Sequence, residues 1–245
     1  MSYLPYCILR DGDLARGCAP RGVDGETVAL IAAAGLAAPY SAVPKEYALP
    51  NVPRATAYAR VVAAFHQVDT VLPLRYGDLM PNRAQLAELL RERSAEFHAL
   101  LDQLEGCEEM GLHLLLRAAE GISEPDAIPV GRTARPGWPE TPGARYLARR
   151  RAYYVQRERH GQHAASAAER IRRAFDGLFV KCRARDPSVS DGRLLSLYFL
   201  IRRQDASAFR QAFRRLQGTG TDRVLLLGPW PPYTFVTQGQ NGDGP

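Results

Sequence analysis

Gly177-Leu-Phe-Val-Lys-Cys-Arg183 and Arg193-Leu-Leu-Ser-Leu-Tyr-Phe-Leu-Ile201 are two apolar runs separated by a turn region from Asp186-Pro187 to Asp191-Gly192. Short runs of this kind, bounded by turn dipeptides, read as paired strands. Upstream lies a long charged segment, 144–176, with helical character. Downstream, residues 205–217 place Phe209, Ala212, Phe213 and Leu216 on one helical face. Beyond these helices stand Met110-Gly-Leu-His-Leu-Leu-Leu-Arg117 and Arg223-Val-Leu-Leu-Leu-Gly228, both strand-like. The resulting order is β-α-β-β-α-β, the split βαβ of ferredoxin-like domains. It predicts an antiparallel sheet with both helices on one face. The other face is left to water, to a first domain or to a partner.

The first 105 residues read as a separate α+β domain, with 106–237 as the second and 238–245 as a disordered tail. Residues 3–9 predict an opening strand, which Pro5 favours at a sheet edge. Residues 27–31 and 36–43 predict strands around a Gly35 turn, the first being equally compatible with a short helix. Residues 54–67 predict a helix with Tyr58, Val61, Val62 and Phe65 on one face. A short strand follows at 70–76. A single helix then starts at the N-cap Asn82, with Gln85 in the reciprocal position, and ends at Gly106. Residues 121–143 form a Pro- and Gly-rich linker that contains Trp138.

At 245 residues, 46% hydrophobic and 24% charged, the composition is that of an ordinary globular protein. No run approaches the length of a membrane helix, and the N-terminus lacks a secretory pattern, so a cytoplasmic protein without membrane partners is expected. Cys7, Cys18, Cys107 and Cys182 are scattered without a CxxC, which predicts free thiols. The net charge of +6 is uneven. Residues 132–185 carry 14 Arg or Lys against Glu140, Glu158, Glu169 and Asp176, a basic arm on a mildly acidic body.

A straight helix over 144–176 would run about 50 Å, far longer than a small sheet is deep. Part of it must project or fold back. A hairpin turning at Gly161 is the preferred reading and a straight projecting helix the second. Leu147, Tyr154, Gly161, Ala168 and Phe175 recur every seven residues, a short coiled-coil-like row. Arg149, Arg150 and Arg151, with Tyr153, Tyr154, Arg157 and Arg159, form a basic-aromatic cluster suited to an acidic protein face or a polyanion.

Motifs for catalysis are lacking. His160 and His163 offer two imidazoles but no third ligand at metal spacing. Gly218-Thr-Gly-Thr221 precedes a strand and lacks the Lys-Ser/Thr of a phosphate loop. Glu108, Glu109 and Glu158 read as charges at element ends or on solvated faces. No catalytic residue, metal or cofactor is expected. A nucleic-acid-binding ferredoxin-like protein is the rival class, but the 194–201 strand offers only Tyr198 and Phe199 where a basic-aromatic run would be needed.

Pro229-Trp-Pro-Pro-Tyr233 closes the patterned part of the chain. Its prolines lack amide donors and favour polyproline II, so the final strand is expected to stop at Gly228. Trp230 and Tyr233 are then held semi-rigidly, either as a plug on their own domain or as contacts for another protein.

Gly228-Pro-Trp-Pro-Pro-Tyr-Thr-Phe-Val236 closely resembles the ending of the gas vesicle protein L/F family. So do Val71-Leu-Pro-Leu-Arg-Tyr-Gly77, Gly143-Ala-Arg-Tyr-Leu-Ala-Arg-Arg150 and the opening Tyr3, Tyr6, Cys7 and Ile8. The blocks run in family order across nearly the whole chain. One departure stands out: relatives usually have tryptophan after the glutamate at 109, and here Met110 follows. The resemblance implies a two-domain α+β protein, its second domain a modified ferredoxin fold with a helical insertion. It implies an accessory or minor component of gas vesicles, the hollow protein shells that give cells buoyancy. Its partners would be the small hydrophobic shell protein and other accessory proteins, with no catalysis. Self-association is left open.

Overall fold

The computed structural model describes residues 1–12, 17, 20–49, 51–116, 142–185, 194–219 and 223–236. Most of the 121–143 linker with Trp138, the 186–192 turn, Cys18 and the 238–245 tail fall outside those residues, as does part of the 218–221 turn.

The N-terminal half is built on β1 (Ser2–Pro5), β2 (Cys7–Arg10), β3 (Ala29–Ala33), β4 (Leu36–Val43) and the short β5 (Leu72–Pro73). β4 pairs with β3 on one side and with β1 and then β2 on the other, all antiparallel. Residues 27–31 therefore resolve toward strand. The β3–β4 turn passes through Ala34 and Gly35 at φ 54° and 74°, the left-handed pair that a tight hairpin needs.

The opening segment is not at an edge. Its far side pairs with β5, and Tyr3 bridges Met80. Pro5 is tolerated because it falls between those two contacts, where the chain breaks into β1 and β2. Tyr58 seals that break, its hydroxyl lying 3.0 Å from each of the carbonyls of Pro5, Tyr6 and Leu74. A buried carbonyl left without such a donor is costly.

Three helices cover this sheet: α1 (Val52–Val68), α2 (Arg83–Glu92) and α3 (Ser94–Leu104). α1 buries Tyr58, Val61, Val62 and Phe65 on the predicted face. Asn82 caps α2 by accepting from the Gln85 amide at 2.8 Å. The single helix expected from Asn82 to Gly106 is in fact two. Arg93 leaves helical geometry (φ −105°, ψ 19°) and its guanidinium grips Glu96. The break lets Leu86 and Leu90 of α2 face the same core as Phe97, Leu101 and Leu104 of α3.

The C-terminal half runs β6 (Cys107–Leu115), α4 (Pro142–Ala174), β7 (Lys181–Arg185), β8 (Leu194–Arg202), α5 (Ala206–Thr219) and β9 (Arg223–Trp230). The strands form one antiparallel sheet in the order β7-β8-β6-β9. Met110, Leu112 and Leu114 of β6 and Leu195, Leu197, Phe199 and Ile201 of β8 point to one face. There they meet Ala164, Ala167 and Ile171 of α4 and Phe209 and Phe213 of α5. Phe175 stacks on Phe209 with ring centres 4.3 Å apart, a contact that adds orientation to the burial. The opposite face is not simply open. Leu200 and Cys107 share a core with Ile8, Leu36 and Leu90 of the N-terminal half.

Candidate partner-contact surfaces

α4 is one continuous helix of 33 residues. The hairpin at Gly161 is overturned: the helix passes through that position without a break. A lone glycine costs a helix only about 1 kcal/mol against alanine, and no proline or second turn residue stands beside Gly161 to reverse the chain. Among the described side chains of α4 burial begins at Ala164, and those described before it are exposed along one face. Residues 142–163 span about 33 Å of helix ahead of Ala164, Ala167 and Ile171, which pack on the sheet.

The described face of this half carries large apolar side chains in water. Tyr146 is 61% exposed, Leu147 64%, Tyr154 51% and Val155 41%. Arg150 and Arg151 are exposed between them, and the Arg150 guanidinium lies 5.8 Å from the Tyr154 ring centre. Arg149 occupies the same stretch of helix, but its side chain is outside the described set. Glu158 is exposed on this helix, as expected.

The terminal segment behaves differently from its sequence expectation. β9 does not stop at Gly228 but continues to Trp230, which pairs with Glu109 across a register shift in β6. The Gly228–Pro229 peptide is cis. Gly228 has φ 108°, and a Cβ there would lie 2.7 Å from the Glu109 carbonyl oxygen, so only glycine fits. Pro231 and Pro232 are buried, and a short helical turn, α6 (Tyr233–Val236), ends the described chain.

Glu109 is the anchor that sequence reading missed. It is 2% exposed, not solvated. Its Oε2 accepts from the Thr234 amide and its Oε1 from the Thr234 hydroxyl, both at 2.8 Å. Arg183 donates to the Thr234 carbonyl at 2.6 Å and its guanidinium lies 5.5 Å from the Phe235 ring centre. Phe235 is itself buried in the core shared by the two halves. Burial pushes the Glu109 carboxyl up, and the Thr234 bonds and Arg183 only partly offset it. Neighbouring Glu108 is half-buried and is likewise pushed up by burial. The period-two pattern could have put Glu109 on the face opposite Met110 and Leu112. It could not have supplied the partner, 125 residues away.

Trp230 is 39% exposed and lies against Gly111. A Cβ built at Gly111 would be in ordinary contact, 3.6 Å from the Trp230 ring and 3.7 Å from His113 and Tyr198. His113 holds Ser196 at 2.9 Å through Nδ1 and meets Tyr198 edge-on. Tyr233 is 36% exposed as a residue, yet its hydroxyl feels Cys7 and Glu109. Burial drives that hydroxyl's pKa well up, with Cys7 and Glu109 adding to the effect. Arg150, Arg151 and Tyr154 thus share α4, while Trp230 and Tyr233 belong to β9 and α6.

Among the described residues, no three His, Cys, Asp or Glu side chains gather where they could hold a metal ion. His163 is exposed on α4. No helix among them is long and apolar enough to cross a membrane.

Comparison with known proteins gives these surfaces a context. A curated relative, gas vesicle protein F of Streptomyces sp. (strain CB03234), is 28% identical over 201 residues, covering 74% of this chain and 76% of its own. The crystal structure of the gas vesicle protein GvpF from Anabaena sp. PCC7120 superposes with a TM-score of 0.74 at 16% identity, over 99% of both chains. That of GvpF from Microcystis aeruginosa gives 0.72 at 18% identity, over 97% of this chain and 99% of its own. The mixed α/β architecture with antiparallel sheets is therefore shared with solved gas vesicle proteins. The model of the gas vesicle synthesis protein GvpL/GvpF family matches residues 2–237, and this chain belongs to that family.

Proposed function

We propose that the chain is an accessory protein that supports assembly of the gas vesicle shell by binding other proteins. Its partners in this reading are the small hydrophobic shell protein and further accessory proteins, and it acts in the cytoplasm at the growing vesicle without catalysing a reaction. The observation that carries the reading is α4. Ahead of Ala164, its described face exposes Tyr146, Leu147, Tyr154 and Val155 to water. Apolar surface held in water on a projecting element is characteristic of a protein-binding site. Arg149, Arg150, Arg151 and Tyr154 are the proposed contacts on the arm. Trp230 and Tyr233 are the proposed contacts at the terminal segment, where Trp230 offers a half-exposed ring on a frame fixed by Glu109.

In this reading the chain has two domains, 1–105 and 106–237. The second is a modified ferredoxin-like fold in which the arm is the helical insertion. The strand order β7-β8-β6-β9, with α4 and α5 on one face, supports that assignment. A shell subunit exposes apolar surface before it joins a gas-tight wall, and such surface aggregates. A partner with an uncovered apolar arm can shield it until it is delivered.

The test is deletion of the gene in a vesicle-forming host, followed by complementation. The deletion strain should fail to float and should lack vesicles by electron microscopy, and the wild-type chain should restore them. Normal vesicle yield without the chain would refute the proposal.

A further inference from the structure

We infer that the projecting half of α4 is the docking site for an acidic amphipathic helix of another protein. This rests on the protein-contact reading above and names the partner's chemistry.

The argument begins with backbone. Inside a helix the N–H and C=O groups are paired along the chain, so the arm offers no edge to which a strand could add. What it offers is straight ridges of side chains, and the complement of such ridges is another helix. Leu147, Arg151 and Val155 follow one another at four-residue spacing, with Tyr154 seven residues from Leu147. Neighbours at these spacings share one side of a helix. Together with Tyr146 and Arg150 they make an apolar seam edged by guanidinium groups, all exposed. The seam belongs to a segment about 33 Å long, enough for about six turns of partner helix.

Charge then selects the partner. Residues 142–163 contain Arg145, Arg149, Arg150, Arg151, Arg157 and Arg159 against Glu158 alone, net +5 with histidine neutral. Two copies of this chain laid arm to arm would bring +10 along one seam, which like-charge repulsion opposes. A second copy is therefore not the occupant. A partner helix with Glu or Asp flanking an apolar stripe matches both features at once. A nucleic acid would match only the charge. Leu147 and Val155 are 64% and 41% exposed and have no counterpart in a phosphate backbone.

The test uses the full chain and four probes of matched length, read by fluorescence anisotropy at low and high salt. The first is a synthetic helix of about 20 residues with leucine at a and d and glutamate at e and g. The second replaces those glutamates with lysine. The third is a scramble of the first, with the same composition and no apolar stripe. The fourth is oligouridine. The glutamate helix should bind saturably and at least about tenfold more tightly than its scramble, because only it can bury an apolar stripe. The lysine helix should not bind. Leu147→Ser with Val155→Ser should weaken the glutamate helix about tenfold, from lost apolar burial. Arg150→Gln with Arg151→Gln should weaken it about fivefold at low salt and less at high salt. All four positions are exposed, so circular dichroism should be unchanged in these variants. Equal binding of helix and scramble would overturn the inference, as would tighter binding of oligouridine or indifference to the Leu147 and Val155 changes. If the glutamate helix fails to bind while the wild-type chain still restores vesicles to a deletion strain, the partner class is wrong and the assembly role stands.

Discussion

Replacing Glu109 should loosen the terminal segment while leaving the sheet in place. The carboxylate accepts two hydrogen bonds from Thr234 at 2.8 Å and is 2% exposed. A hydrogen bond to a charged acceptor contributes about 1.5–3 kcal/mol. Removing Glu109 also removes the cost of burying it, so Glu109→Ala should lose about 2–4 kcal/mol rather than the sum of both bonds. For a chain of this size that is a fall of about 5–15 °C in Tm. Glu109→Gln keeps an acceptor for the Thr234 amide and should lose no more than about 1 kcal/mol. The pH dependence has a definite sign. Because burial raises the carboxyl's pKa in the folded state, its contribution is fully present below the unfolded pKa and declines as pH rises through the folded one. Wild type should therefore gain on Glu109→Gln as the solution is acidified from neutral toward that range. The assay is urea unfolding at several pH values, with Trp230 emission as the local probe in a Trp138→Phe background. Each variant is paired with Thr234→Ala in a double-mutant cycle. A coupling energy of zero between Glu109 and Thr234, or Trp230 emission unmoved by Glu109→Ala, would refute the anchoring argument.

Three further outcomes follow from the same geometry. Gly161→Ala should raise stability by about 1 kcal/mol and increase ellipticity, since the site is mid-helix with open space around it; a loss of ellipticity would restore the hairpin. Gly228→Ala should destabilise by at least about 2 kcal/mol in chemical denaturation, because a Cβ there meets the Glu109 carbonyl and φ is 108°. His66 is 8% exposed, and burial, then Arg203, lower its pKa to about 4. Its contribution is complete above the ordinary histidine pKa and is lost as pH falls toward about 4. His66→Gln should flatten the stability profile across that window.

Local pattern made much of this architecture legible. The faces of α1 and α5, the Asn82 cap and the order of elements from β6 to β9 all follow from periodicity and turn chemistry acting within a few residues. The single helix from Asn82 was misread because nothing in the hydrophobic spacing marks Arg93 as a break. The break is a tertiary compromise that turns two short helices onto one core. Pro5 was misread for a related reason. A proline forbids one ladder bond, but whether the chain can spare that bond depends on what lies opposite it.

The amino-acid order alone determined the elements, the uneven charge and the family resemblance, because each rests on neighbours or on motifs of a few residues. Only the tertiary structure decided that α4 runs unbroken through Gly161, that β9 extends to Trp230 and that Glu109 is buried on Thr234. These depend on which surfaces compete for burial and on contacts between residues more than a hundred positions apart. Such choices are settled by the free energy of the whole packed chain, and no local stretch encodes them.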